Sequence, residues 1–263
     1  MTARTTSRRT GEAEFLAEYD PADFDRPSVT VDVVALTIRA GQLSVLLVKR
    51  GAHPFKGSWA LPGGFVAMEE DLDDAAGREL AEETGLDRLP AGTHLEQLAT
   101  YGRPDRDPRT RVITVAYVIF AADLPEPVAG TDAASARWWP VADLGLDLGY
   151  GDVEDAPSLA FDHAQIIRDG VERTRSKLEY STLATAFVPS PFTIPELRRV
   201  YEATWAATSE EMDASNFRRK VLAVDDWLVE AEGTADSTGG RPARLYVAGG
   251  ATRIVPPLER PRE

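Results

Sequence analysis

Hydrophobic positions along this chain come in two rhythms, and the changes between them mark the elements. Residues 29–38 and 43–50 are apolar, β-branched runs, and Arg39, Ala40, Gly41 and Gln42 between them read as a hairpin connection. A short strand is expected at 59–61, running into a tight turn at Pro62, Gly63 and Gly64, and further strands at 95–101, 112–120 and 136–140. The period then lengthens: Leu72, Ala76 and Leu80 recur every fourth residue and give a helix one apolar stripe. Asp71, Asp73 and Asp74 suit its start and Gly85 its left-handed end, with Leu86 folding back on Leu80 and Ala81. A second helix is expected over 161–180. Strands mixed with helices in this order predict an α+β sandwich.

Past residue 180 the pattern changes. Thr193, Ile194, Pro195 and Glu196 form a capping box with proline in the first turn, and Leu197, Val200, Tyr201 and Trp205 continue as one apolar face. Another helix opens near Asp213 through Phe217, Val221 and Leu222. Strands at 227–232 and 243–248 flank a glycine-rich stretch, 233–242. Helix, helix, strand, glycine-rich loop and strand outline a small winged helix-turn-helix. Arg218, Arg219 and Lys220 fall on its second helix, with Arg241 and Arg244 beside the loop, so the helix suits a DNA major groove and the loop its phosphates. On composition alone an ordinary solvated helical hairpin fits these five residues equally well. Residues 1–27 start basic at Arg4, Arg8 and Arg9 and turn acidic, with Pro21 and Pro27 discouraging a long helix. The expected organisation is a partly disordered tail, 1–27, with a short helix at 15–19, then domains over 28–175 and 176–250 and a C-terminal tail, 251–263.

Composition narrows the chemistry. The 263 residues contain no cysteine, which removes disulfides, zinc–thiolate sites and thiol nucleophiles and fits a reducing compartment. No apolar run approaches membrane-spanning length, so a soluble cytoplasmic protein without membrane partners is expected. The net charge of −14 is uneven. Residues 1–175 carry 18 Lys and Arg against 30 Asp and Glu, whereas 176–263 carry 11 against 13.

Part of that acidity sits on the first long helix. Glu79, Glu82 and Glu83 stand at i, i+3 and i+4, about 5 to 6 Å apart at their β-carbons, in the last turns, where the helix dipole also disfavours anions. A solvated acidic face is the ordinary fate of such a run. A divalent cation resolves the repulsion, and hard carboxylate oxygens select Mg2+ or Mn2+. Arg78 can hold Glu82, four residues on, by a bidentate pair.

Gly64, Glu70, Arg78, Glu79, Leu80, Glu82, Glu83, Gly85 and Leu86 match G-x5-E-x7-R-E-U-x-E-E-x-G-U, where U is aliphatic, at every position. This segment resembles the Nudix box of hydrolases that cleave nucleoside diphosphates linked to another group. The resemblance implies the Nudix fold, a mixed β-sheet sandwiched between helices, and further that Glu79 and Glu83 ligate metal, that Glu82 ligates metal or assists the water, that the Gly63 carbonyl adds a ligand, and that Glu70 and Arg78 organise the box. Outside it, Arg103, Arg106, Arg109 and Arg111 occupy one inter-strand loop suited to gripping phosphates, or to simple solvation. Trp59 and Phe55 are candidates for stacking on adenine, though core packing is the commoner role. His163, in an apolar stretch, reads as a hydrogen-bonded structural group rather than a catalytic one.

A second resemblance spans about residues 29–248: WALPGGF at 59–65, the run from Tyr101 through Arg111 to Tyr117, LAFDH at 159–163, FTIPELRRVYE at 192–202, NFRRK at 216–220 and GRPARLY at 240–246. In this order they resemble the Nudix-related transcriptional regulators of NAD metabolism, which join a Nudix-type sensor to a winged helix. That resemblance implies ADP-ribose or a related nucleoside diphosphate as ligand, promoter DNA as partner and a homodimer. Many such regulators have eroded boxes, and this chain keeps every box residue. Two functions are therefore expected in one chain: Mg2+-dependent hydrolysis of ADP-ribose, and regulation of transcription. The alternatives are a catalytically silent ADP-ribose-sensing repressor and a C-terminal module used only for dimerisation.

Overall fold

A computed structural model describes residues 4–86, 93–122, 124–128, 133–208, 210–235 and 242–261. Its main sheet contains β1 (Ser28–Arg39), β2 (Gln42–Arg50), β3 (Trp59–Ala60), β4 (Gly63–Phe65), β5 (His94–Tyr101), β6 (Val112–Phe120) and β7 (Ala133–Pro140). The path runs β3-β2-β1-β6-β5, with β4 added to β1 and β7 to β2. β1 pairs with β6 in parallel, from Ser28 opposite Val112 to Leu36 opposite Phe120, and antiparallel with β2. The hairpin expected at 39–42 is present, with Ala40 and Gly41 both at positive φ, the backbone of the tight turn that matches strand twist.

Because β1 lies inside a mixed sheet with helices on both faces, it is buried along most of its length and its alternate residues feed two cores. Val31, Val33 and Ala35 pack on α2 (Leu72–Thr84), whereas Val34 and Leu36 face α3 (His163–Tyr180) and everything beyond it. Close approach of α3 depends on Gly170, where a Cβ would stand 2.9 Å from Val34 Cγ1.

Residues 62–64, expected as a tight turn, instead lead into strand β4, with Thr30 opposite Phe65 and Asp32 opposite Gly63. Glycine permits this pairing, since a Cβ on Gly63 would collide with the Val31 carbonyl. The N-terminal helix also differs from expectation. It is not a short 15–19 segment but α1 (Arg4–Glu18), followed by a turn of 3-10 helix at Pro21–Asp23. Pro21 restricts the residue before it, and no proline interrupts residues 4–18.

The winged helix is built from α4 (Ile194–Trp205), α5 (Ala214–Leu222) and the antiparallel pair β8 (Leu228–Ala235) and β9 (Ala243–Ala248). The capping box is complete: the Glu196 carboxylate accepts from Thr193 N at 2.7 Å while Thr193 Oγ1 accepts from Glu196 N at 3.3 Å. Leu197, Tyr201, Phe217 and Trp227 share one core with Leu47, Ile166 and Val171 of the sheet side. α3 itself runs unbroken across residue 175. At that point buried Arg175 donates to the carbonyls of Thr204 (2.8 Å) and Leu148 (2.6 Å), and Trp205 Nε1 donates to the Arg175 carbonyl. Ile254 and Leu258 are buried, and their N–H groups donate to Tyr180 and Glu179 at the end of α3. No helix among the described residues is long and apolar enough to cross a membrane.

Candidate active site and nucleic-acid interface

α2 begins and ends as its sequence requires. Asp71 accepts from Leu72 N at 2.7 Å, and Gly85 takes φ 72° while its N–H donates to Ala81 O. Ala75, Ala76, Leu80 and Thr84 are buried against the sheet. The opposite face is organised by Arg78, whose guanidinium grips both oxygens of Glu70 (2.6 and 2.8 Å) and also donates to Glu79 (2.8 Å) and Glu82 (3.1 Å). Arg78, with a bond from Ala67 N, holds the Glu70 carboxyl down to about 2.

Helix geometry separates the three expected metal ligands. At about 100° per residue, Glu83 lies about 40° round from Glu79 on one side and Glu82 about 60° on the other, the side Arg78 occupies. Glu79 and Glu83 line a cavity of about 530 Å3, and Glu82 does not. The Glu82 side chain is 58% exposed and held by Arg78. Glu83 accepts from Gly63 N at 3.0 Å, so Gly63 takes part through its N–H. Gly64 leaves room for the Glu79 carboxylate, which a Cβ there would strike. Burial pushes the Glu83 carboxyl up to about 7, with the Glu79 charge adding to it, and burial also raises Glu79.

Among the described residues no three acidic, histidine or cysteine side chains converge into a ready-made metal cage. Two half-buried carboxylates with hard oxygens lining one cavity nevertheless fit magnesium or manganese, which keep several waters and complete their shell from substrate phosphates. Nudix domains generally work with a divalent metal.

The rest of the cavity wall comes from Asp32 on β1, Arg50 on β2, Arg106 and Arg109 on the 102–111 loop, and Phe161 and His163 at the start of α3. Arg106, expected as a phosphate contact, is buried and pairs with Asp162 (2.7 and 3.0 Å) and Asp32 (3.4 Å). This internal bridge ties the loop to β1 and α3. Arg109 is held by Asp107 at 2.7 Å and packs over Phe65 and Phe161. Arg103 pairs with Asp105 and Arg111 donates to the Arg103 carbonyl, and neither lines the cavity. Trp59 also lies outside the lining, edge-on to Trp139 at 5.3 Å, while Phe55 packs edge-on against Phe161 at 4.8 Å. His163 Nδ1 accepts from Leu61 N at 2.8 Å, and burial lowers its pKa, so the ring is a neutral structural group.

Sequence reasoning missed Asp32, Arg50, Phe161 and Asp162. Asp32 did carry a signal, as a lone carboxylate inside an apolar strand run.

A larger cavity, about 890 Å3, lies between the sheet edge and the segment after α3, lined by Thr93, Ser190 and Ala248 among others. Its one lysine, Lys177, is paired with Glu96. It lacks the converging charges of the smaller site.

On the winged helix, Asp213 caps α5 by accepting from Asn216 N at 2.7 Å, and Phe217 and Val221 anchor the helix in the core. Arg218 and Arg219 are exposed and Lys220 half-buried. Arg219 donates to Asn216 Oδ1 at 2.7 Å. Arg244 pairs with Glu230 at 2.7 Å. Arg241 lies outside the described residues.

Fold and site together define a mixed α+β box domain joined to a winged helix. The NUDIX domain model matches residues 26–161 and the NrtR DNA-binding winged helix domain model residues 184–248. The chain belongs to the NrtR family of Nudix-related transcriptional regulators. It is 33% identical over 239 residues, 89% of this chain and 87% of the relative, to the ADPR responsive transcriptional repressor NtrR of Acinetobacter baylyi. It is 42% identical to an ADP-ribose pyrophosphatase of Methanocaldococcus jannaschii over 125 residues, 48% of this chain and 64% of that protein. NrtR of Shewanella oneidensis, solved with a 27mer DNA, superposes with a TM-score of 0.69 at 33% identity, covering 88% of this chain and 99% of that one. Its NUDIX domain, solved with ADP ribose, gives a TM-score of 0.53 at 38% identity over 62% of this chain and 98% of that one.

Proposed function

We propose that this protein is an ADP-ribose-responsive transcriptional regulator of NAD metabolism. It takes ADP-ribose or a related nucleoside diphosphate derivative into the box cavity. It binds promoter DNA through α5 and the β8–β9 wing, as a homodimer on paired half-sites. One observation carries the reading: α3 starts at the cavity wall with His163 and reaches, without a break, the seam where Arg175 and Trp205 fasten the winged helix. Ligand seated against the first turn therefore acts on a rigid element that ends beneath the DNA-facing module. Relatives described as an ADPR-responsive repressor and as a DNA complex support both halves.

Glu79 and Glu83, aimed together into the cavity, favour a second activity, hydrolysis of ADP-ribose to AMP and ribose 5-phosphate. A bound magnesium or manganese ion supplies charge neutralisation for the diphosphate and a more acidic water. Glu79 and Glu83 would hold the ion, and Arg78 fixes Glu79, Glu82 and Glu70 in place, leaving Glu82 outside the cavity lining. The cavity, about 530 Å3, is within the ordinary range for small-molecule sites.

The test selects DNA from a random pool with the full chain, then titrates the complex with ADP-ribose and, separately, incubates protein, Mg2+ and ADP-ribose and assays AMP. Salt-sensitive DNA binding whose affinity changes with ADP-ribose is expected, together with AMP release. No DNA selected at low salt, or an affinity indifferent to saturating ADP-ribose, ends the regulator reading, while absence of AMP ends the enzymatic one.

A further inference from the structure

The cations around the box cavity are not equivalent. Arg106 is neutralised by Asp32 and Asp162, and Arg109 by Asp107. Lys49 holds its ammonium over the Trp59 ring. Arg50, at the end of β2, is different. Its Nε donates to the Pro54 carbonyl at 2.8 Å and its guanidinium stacks over Phe161 at 4.9 Å, and among the described residues it has no carboxylate partner. It is half-buried, and it lines the cavity together with Glu79 and Glu83. Burial and the neighbouring Arg109 charge disfavour its cationic form, while the charges of Glu83, Asp107 and Asp32 favour it. A guanidinium kept partly out of water, with carboxylates nearby but none bonded to it among the described residues, has N–H donors left over for a ligand anion.

The platform beneath it is also unusual. Phe161 has φ 52° and Phe55, edge-on to it, φ 58°. Bulky residues in the left-handed region carry a cost that is met by the surrounding structure, and such residues gather at ligand sites.

Resting on the ADP-ribose reading above, we infer that Arg50 is the anion anchor of the cavity, gripping a phosphate of the bound diphosphate beside the box carboxylates that line the same cavity, with Phe161 as its platform. Two kinds of group then share the ligand: carboxylates reach the diphosphate only through a divalent cation, and Arg50 reaches it directly with a planar fork of donors. Arg50 is a positioning and specificity residue, needed whether or not the diphosphate is cleaved. Diphosphate binding in the absence of metal should depend on it.

The experiment is calorimetric titration of ADP-ribose into wild type, Arg50→Gln and Arg50→Lys, with EDTA present, alongside thermal melting of each protein without ligand. Arg50→Gln should weaken ADP-ribose by roughly 10- to 100-fold, the range for a hydrogen bond to a charged group. Arg50→Lys should recover part of the loss, and the free Gln variant should melt no lower than wild type. Equal affinity in wild type and both variants overturns the inference and leaves the sensing reading standing. A lowered melting temperature with unchanged affinity assigns Arg50 a merely structural role and also overturns it. If wild type itself takes up no ADP-ribose with either EDTA or Mg2+, the sensing reading falls and the anchor with it. Should the Gln variant fail to fold, the Lys variant decides alone, since its point charge cannot reproduce the fork and must weaken ADP-ribose measurably.

Discussion

α2 and α5 are built alike and used oppositely. Each is capped by an aspartate, Asp71 or Asp213, and each buries one apolar stripe, Ala76 and Leu80 or Phe217 and Val221. α2 turns Glu79 and Glu83 toward the cavity, where burial drives the Glu83 pKa up, and Arg78 bonds Glu79 together with Glu70 and the more exposed Glu82. α5 turns Arg218 and Arg219 out to water. Confined charge gives geometric demands on a small ligand and its metal, because the low local dielectric makes each pair strong. Exposed charge gives adjustable, salt-screened attraction suited to a long polyanion. One chain thus separates recognition by fit from recognition by field.

The largest test of this contrast is Glu83→Gln, which keeps shape and removes a charge proposed to hold the metal. AMP release with Mg2+ should fall at least about 1000-fold, about 4 kcal/mol at the transition state, with DNA affinity unchanged. A folded variant hydrolysing at the wild-type rate would remove Glu83 from the site. Next in size, Arg218→Ala and Arg219→Ala should each weaken DNA binding by about 1–3 kcal/mol, and a phosphate contact should lower the salt slope by about one unit. Calorimetry should find ADP-ribose affinity unaltered in both, and an unchanged salt dependence would place these arginines off the DNA. The smallest effects concern the caps: Asp71→Ala and Asp213→Ala should each cost about 1 kcal/mol by denaturant unfolding. Asp213→Ala should be the larger, because Asp213 caps the N–H three residues on, and it alone should weaken DNA binding. Loss of DNA binding from the α2 cap instead would show that the two helices are not separable.

What the letters disclose is local. The caps of α2, the box spacing, the complete Thr193–Glu196 box and the 112–120 and 243–248 strands are all legible because each depends on neighbours a few residues apart. Arg106 is illegible: in a loop with Arg103, Arg109 and Arg111 it reads as a phosphate contact, and only the fold brings Asp32 and Asp162, from distant parts of the chain, to neutralise it. Arg50 looks like the polar end of a strand for the same reason. β4 reads as a turn because its pairing with β1 is long-range. Glu82 differs from Glu83 only by helical angle and by the pull of Arg78, a distinction that spacing contains but that a motif pattern does not draw.

α3 has a practical consequence for anyone exchanging sensors among proteins of this architecture. Its first turn belongs to the ligand wall and its later turns to the core shared with α4. A chimaera spliced at residue 175 would join half a helix from each parent and would have to reproduce the Arg175–Thr204 and Trp205–Arg175 bonds across foreign surfaces. Grafts should carry the whole of α3 with the winged helix it supports, and take their crossover from the loop before Phe161.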